Sequence, residues 1–235
     1  MKQQTICNKV NITGVGIHTG LKSTITLIPL EENSGIIFQR IDLPGEPKVK
    51  AIFQNVSSTN RSTNIKKNNA EVQTVEHLLA AITGAQIDNM LIKINNLEVP
   101  ILDGSSYIFT KSIKKAGIKK QKIDKKYLKI TNKIFYKDKK SGSSYLVEPS
   151  EKLRIRVELD YKSKILKNQI AELEDINKFE DDISRCKTFS FLHEVESLIK
   201  NNLIKGGRLD NSIIIVEEEA TDEIKKHLYK RLGKD

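Results

Sequence analysis

Thr74-Val75-Glu76-His77-Leu78-Leu79-Ala80-Ala81-Ile82-Thr83-Gly84 is the stretch that sets the reading of this chain. Val75, Leu78, Leu79 and Ile82 recur at the spacing that lays one apolar stripe along a helix. Thr74 is a candidate N-cap and Gly84 a stop signal. Residues 90–94 then read as a strand. Asp103-Gly104 marks a turn, and Ser105 or Ser106 opens a second helix that closes at Gly117.

Working outward, residues 4–12, 23–30 and 36–41 read as strands, the first two joined by the glycine-rich turn 14–20. Residues 56–69 are polar and loop-like. The lysine-rich stretch 118–126 reads as a linker and sets a domain boundary near residue 124. Beyond it, strands are expected at 127–136 and 144–148 around Gly142. The run 153–159 alternates with period two. A polar span (160–182), a helix near 187–202, an apolar strand at 213–216 and a polar helix at 219–233 complete the pattern. Strands followed by helices, twice over, imply an α+β protein of two domains, residues 1–124 and 125–235.

The 235 residues suffice for one large or two small domains; 38% hydrophobic is ordinary to low and 30% charged is somewhat high. No apolar run approaches the roughly 20 residues that cross a bilayer. Residues 1–11 lack the apolar core of a secretory signal, so the cytoplasm is the expected compartment. Cys7 and Cys186 form no metal or disulfide framework. The net charge of +10 gathers between Lys111 and Lys140. Such a stretch fits either a solvated lysine-rich surface or a basic nucleic-acid-binding face. Gly14, Gly16 and Gly20 have the wrong spacing for a dinucleotide loop and link two strands.

Glu76 and His77 open the first helix. A histidine there suits a metal ligand, and the adjacent glutamate suits a base that activates water. Taken alone, the pair reads as two helix-surface residues rather than as a metal site. Its neighbours carry more. The runs 74–81, Ile87-Asp88-Asn89 and Val99-Pro100-Ile101-Leu102-Asp103-Gly104-Ser105 closely resemble the UDP-3-O-acyl-N-acetylglucosamine deacetylase family of lipid A biosynthesis. So do the turn 14–20, the run 38–44, Cys186-Lys187-Thr188-Phe189-Ser190-Phe191-Leu192 and the run 202–207. The motifs stand in the family's order from about residue 5 to about residue 220.

The resemblance implies a Zn2+-dependent hydrolase that removes the N-acetyl group of a UDP-linked acylated glucosamine, the committed step toward lipid A in Gram-negative bacteria. It implies two β-α-α-β type domains with layered sheets and packed helices, the second carrying an insert near 192–220. His77 is then a zinc ligand, Glu76 the general base, and Thr188 a hydrogen-bond donor to the oxyanion. Phe189, Phe191 and Gly207 are expected at the substrate, beside an acyl passage; core packing is the other reading of the two phenylalanines. His18 matches a histidine near the mouth of the site, and Asp103 is expected to shape a turn.

The family's later His-Lys-x-x-Asp motif and its general-acid histidine have no match. His193 aligns with no catalytic position, and His227 reads as a surface helix residue. The second domain is therefore expected to be incomplete at its C-terminus and short of core. The chain alone is expected to bind zinc weakly and hydrolyse no substrate. A gene fragment, a decaying gene and half of a split enzyme all fit. The pattern most resembles versions fused to a hydroxyacyl-acyl-carrier-protein dehydratase. The alternatives are a non-catalytic remnant and a basic nucleic-acid-binding protein; no specific nucleic-acid partner is expected.

Overall fold

A computed structural model describes residues 1–161, 163, 165–201, 203–217, 226, 229 and 230. His227 and most of the expected helix at 219–233 lie outside the described residues.

The N-terminal half is built on a five-stranded sheet. β1 (Lys2–Ile6) stands apart from it, and β2 (Val10–Val15), β3 (Lys22–Pro29), β4 (Ile36–Arg40) and β5 (Lys48–Lys50) belong to it. Three short strands follow: β6 (Val56–Ser58), β7 (Asn64–Lys67) and β8 (Ala70–Val72). Then come α1 (Glu76–Gly84), β9 (Met90–Ile94), α2 (Tyr107–Ala116) and β10 (Ile118–Asp124). The sheet order is β2-β3-β9-β4-β5, with β4 and β9 parallel and the other pairs antiparallel. Alternating residues of the central strands, Ile25 and Leu27 with Ile92 and Ile94, face a core that also takes Phe38. Leu78, Ala81 and Ile82 of α1 and Phe109 and Ile113 of α2 close that core. Burying a side chain such as Leu78 stabilises by about 1.5–3 kcal/mol, so α1 is held by its stripe rather than by its caps.

Several expectations need correction. The strand expected at 4–12 is two strands, because the N–H groups of Cys7 and Asn8 turn to the carbonyls of Gly117 and Ala116. β1 pairs with β10 instead of entering the sheet. The supposed linker 118–126 is therefore mostly strand, its lysines lying on an exposed ribbon. The polar segment 56–69 pairs as β6-β7-β8, since Ile65, Ala70 and Val72 are buried while Lys66, Lys67 and Glu71 stay outside or half-outside. Thr74 is not the N-cap. It holds a left-handed φ of 57°, and its hydroxyl is taken by Glu98.

The C-terminal half contains β11 (Ile134–Lys137) paired with β12 (Ser144–Val147), and β13 (Ile155–Leu159) paired with β14 (Gln169–Leu173). β14 and the short α3 (Phe179–Asp182) lie within the polar span 160–182. The two hairpins leave Ile134, Phe135, Leu146, Ile155 and Val157 exposed. Next come β15 (Phe189–Phe191), α4 (Leu192–Lys200) and β16 (Ile213–Ile215), with β15 and β16 parallel. The expected helix at 187–202 thus begins as a strand, because Phe189 and Phe191 alternate against Ile213 and Ile215. The protein is α+β throughout its described length.

Candidate active-site cleft

The cleft forms where the β15–α4–β16 unit meets the N-terminal body. Gly104, with φ of 80°, approaches so closely that an added Cβ would overlap the carbonyl of Asn211. Its own carbonyl accepts the Thr188 N–H at 2.8 Å, and the Thr188 carbonyl accepts the Ile213 N–H at 3.0 Å. The turn Leu102-Asp103-Gly104-Ser105 therefore sets the position of Thr188. Asp103 shapes that turn by accepting from the Ser105 N–H at 3.2 Å and its hydroxyl at 2.9 Å. On the far side, the Gly206 N–H donates to the Ile17 carbonyl at 3.0 Å, which ties the turn 14–20 to the segment after α4.

Two cavities meet at the start of α1. One is a narrow passage of about 80 Å³, lined by apolar residues such as Ile101, Val195, Leu198, Ile204 and Ile214, and by Gly207. The other is an open bowl of about 440 Å³, with Arg61, Lys187, Tyr161 and Glu194 on its walls. Glu76, His77, Thr188 and Phe189 line both. Phe191 lines only the bowl. It also packs edge-on against Tyr161 and Phe189, with ring centroids at 5.4 and 6.0 Å, as the packing reading expects. His18 lines the passage. His193 stacks on Phe191 with 68% of its side chain exposed, and it lines neither cavity.

The Glu76 carboxylate accepts the Thr63 N–H at 3.0 Å through Oε2, and Oε1 has no partner among the described residues. Burial pushes the His77 imidazole below its usual 6.5, against the opposing pull of the Glu76 and Asp103 carboxylates. A neutral ring keeps a lone pair for a metal. The buried Nδ1 of His18 also lacks a hydrogen-bond partner among the described residues. Among those residues, no group of three or more His, Cys, Asp or Glu side chains is placed to hold a metal ion. His77 thus fits as one donor, and the described residues do not make a complete zinc site.

Sequence reasoning missed Glu98, Arg61 and Tyr161. Glu98 is 1% exposed. Its Oε1 accepts the His18 N–H at 3.0 Å and the Thr74 hydroxyl at 2.9 Å. Its Oε2 accepts the N–H and the hydroxyl of Thr19, both at 2.8 Å. One carboxylate thereby joins the turn 14–20 to the start of α1. Gly16 is needed there because an added Cβ would overlap Glu98 Oε2. An acid inside the apolar run Leu97–Leu102 was the available signal; the polar loop around Arg61 offers none.

Fold and cleft together define a class: an α+β protein whose Glu-His helix start sits where an apolar passage opens into a polar bowl. The chain belongs to the UDP-3-O-acyl N-acetylglycosamine deacetylase family, whose model matches residues 3–228. It is 42% identical over 223 residues to the bifunctional enzyme LpxC/FabZ of Bacteroides thetaiotaomicron, covering 95% of this chain and 48% of that protein. The bifunctional enzyme of Porphyromonas gingivalis is 41% identical, with 94% and 48% covered. The UDP-3-O-acyl-N-acetylglucosamine deacetylase of Teredinibacter turnerae is 36% identical, with 95% and 74% covered. The chain thus spans about half the length of the bifunctional relatives.

Proposed function

We propose that this chain carries the cleft of a deacetylase that cleaves the N-acetyl group of UDP-3-O-acyl-N-acetylglucosamine, on the route to lipid A. One observation carries the reading: Glu76, His77 and Thr188 line the same cleft, between an apolar passage and a polar bowl. An amphiphile with one acyl chain and one charged head needs both surfaces. Relatives named as deacetylases of this substrate add weight.

Glu76 takes the proton of the attacking water on its free Oε1, while Thr63 fixes the other oxygen. The Thr188 hydroxyl donates to the oxygen that gains charge; its N–H is already held by Gly104. Phe189 and Gly207 border the acyl chain, and Phe191 borders the head group. His77 is one zinc donor, and bound zinc supplies a polarised carbonyl and a more acidic water. The remaining donors and the general acid are not among the described residues.

The division into residues 1–124 and 125–235 as two β-α-α-β type units belongs to the same proposal. So does a hydroxyacyl-acyl-carrier-protein dehydratase domain in a longer parent, suggested by the bifunctional relatives. No helix among the described residues is long and apolar enough to cross a membrane; a cytoplasmic site of action is proposed.

The test is titration of the chain with UDP-3-O-acyl-N-acetylglucosamine, followed by amide and methyl NMR. Shifts are expected at Thr188, Gly207 and Ile214. A chain in which those signals stay still while the substrate binds elsewhere, or does not bind, does not have this function. Turnover matching that of a longer relative would overturn the single-donor part alone.

A further inference from the structure

The bowl holds a cation that the reaction residues leave unexplained. Arg61 sits on the loop between β6 and β7 and lines both cavities beside Glu76, His77 and Thr188. Its backbone lies in the left-handed region, φ 62°, which side chains other than glycine occupy at some cost. The loop is nevertheless held, because the Thr63 N–H two residues on is taken by Glu76. The loop that carries the guanidinium is thereby tied to the base of the proposed reaction.

Arg61 spends one Nη on Glu194 Oε1, at 2.7 Å. Its remaining N–H donors have no partner among the described residues. A guanidinium offers five donors in a planar fork that matches two phosphate oxygens at once. The pair is half exposed on the arginine side, 45%, against 26% for Glu194. An ion pair that open is weak, so an incoming anion can displace it. Glu194 keeps a second partner, the Phe191 N–H at 3.4 Å, and so is not left without a hydrogen bond when Arg61 turns away. Lys187, the other cation of the bowl, donates to the Asp210 carbonyl at 2.7 Å and offers a point charge without the planar fork.

The bowl walls carry two carboxylates, Glu76 and Glu194. A diphosphate entering there meets repulsion unless a cation answers it. We propose that Arg61 is the residue that receives the diphosphate of the sugar nucleotide, and that the Glu194 carboxylate occupies the same guanidinium in the unliganded protein. This assignment rests on the reading of the cleft as a sugar-nucleotide site. It makes Arg61 a specificity residue, separate from the groups that handle the amide.

The experiment is calorimetric titration of the 235-residue chain with UDP, uridine and inorganic pyrophosphate. EDTA is present, so that no metal bridges the phosphates. Wild type, Arg61→Ala, Arg61→Lys and Glu194→Gln are compared. Wild type is expected to prefer UDP over uridine by about tenfold or more at low salt, the worth of one bidentate charged contact. In Arg61→Ala that preference falls to about twofold, since Lys187 then acts alone as a point charge without the planar fork. Arg61→Lys retains part of it, and Glu194→Gln equals or exceeds wild type because the competing carboxylate is gone. Uridine serves as the internal control, so a general loss of fold does not imitate the result. An unchanged UDP preference in Arg61→Ala overturns the assignment and leaves the cleft reading standing. A wild type that binds UDP no better than uridine, or binds neither, overturns both.

Discussion

Removing the Glu98 carboxylate tests how the cleft is held. Four donors converge on it: the N–H groups of His18 and Thr19 and the hydroxyls of Thr19 and Thr74. The hydroxyls can rotate to other acceptors, but the two backbone N–H groups cannot. In Glu98→Ala both lose their acceptor, at about 1–3 kcal/mol for each buried unsatisfied donor. Water entering the vacated space recovers part of that, so a net loss of about 3 kcal/mol is expected. Glu98→Gln is subtler. Its carbonyl oxygen satisfies one backbone N–H, and its amide group must face the other, donor against donor, whichever way it is turned. A loss of about 1–3 kcal/mol follows. Against a total stability of about 5–15 kcal/mol, both changes are large. Urea unfolding with linear extrapolation measures them. The order expected is wild type, then Gln, then Ala, with the His18 and Thr19 amide signals moving in both variants. Both variants falling within about 0.5 kcal/mol of wild type, as ordinary surface changes do, would refute the argument.

Two further outcomes follow from other parts of the molecule. The Arg40 guanidinium, donating to Asp42 at 2.7 and 2.8 Å, holds that carboxyl below its usual 3.8. A depressed folded value means that the contribution is complete above the unfolded pKa, near 3.9, and is lost as pH falls through the folded one. Asp42→Asn should therefore flatten the acid limb of a stability-against-pH curve below about pH 4, and an unchanged limb would show the pair to be idle. The hairpins β11–β12 and β13–β14 are two-stranded and expose apolar side chains. Their amides should exchange with deuterium on the order of 100-fold or more faster than those of β3 and β9. Equal protection would mean that the hairpins are covered in solution.

Much of the N-terminal half was legible because its signals are local. The stripe of α1 and the alternation of β3 are written in consecutive residues, and both stand as expected. What escaped was pairing at a distance. β10 reads as a lysine-rich linker because its partner, β1, lies more than a hundred residues away in sequence. β7 is polar on its outer positions and hides a single Ile65. Thr74 has the composition of a cap, but a buried acid 24 residues on claims its hydroxyl. In the cleft, the Glu76-His77 pair and Thr188 were found through the resemblance. Their juxtaposition depends on the Gly104 carbonyl, which no periodicity reveals. Arg61 and Tyr161 reach the bowl from segments with no pattern of their own.

The central claim is that the His77 imidazole is a metal donor in a cleft shared with Glu76 and Thr188. Zinc titration of the chain, followed by nitrogen-15 spectra of its histidine rings, tests it most directly. The His77 ring is predicted to respond, and the response to vanish in His77→Ala while the far-UV circular dichroism stays native. A response confined to His193, or a His77 ring that zinc leaves unmoved, would contradict it.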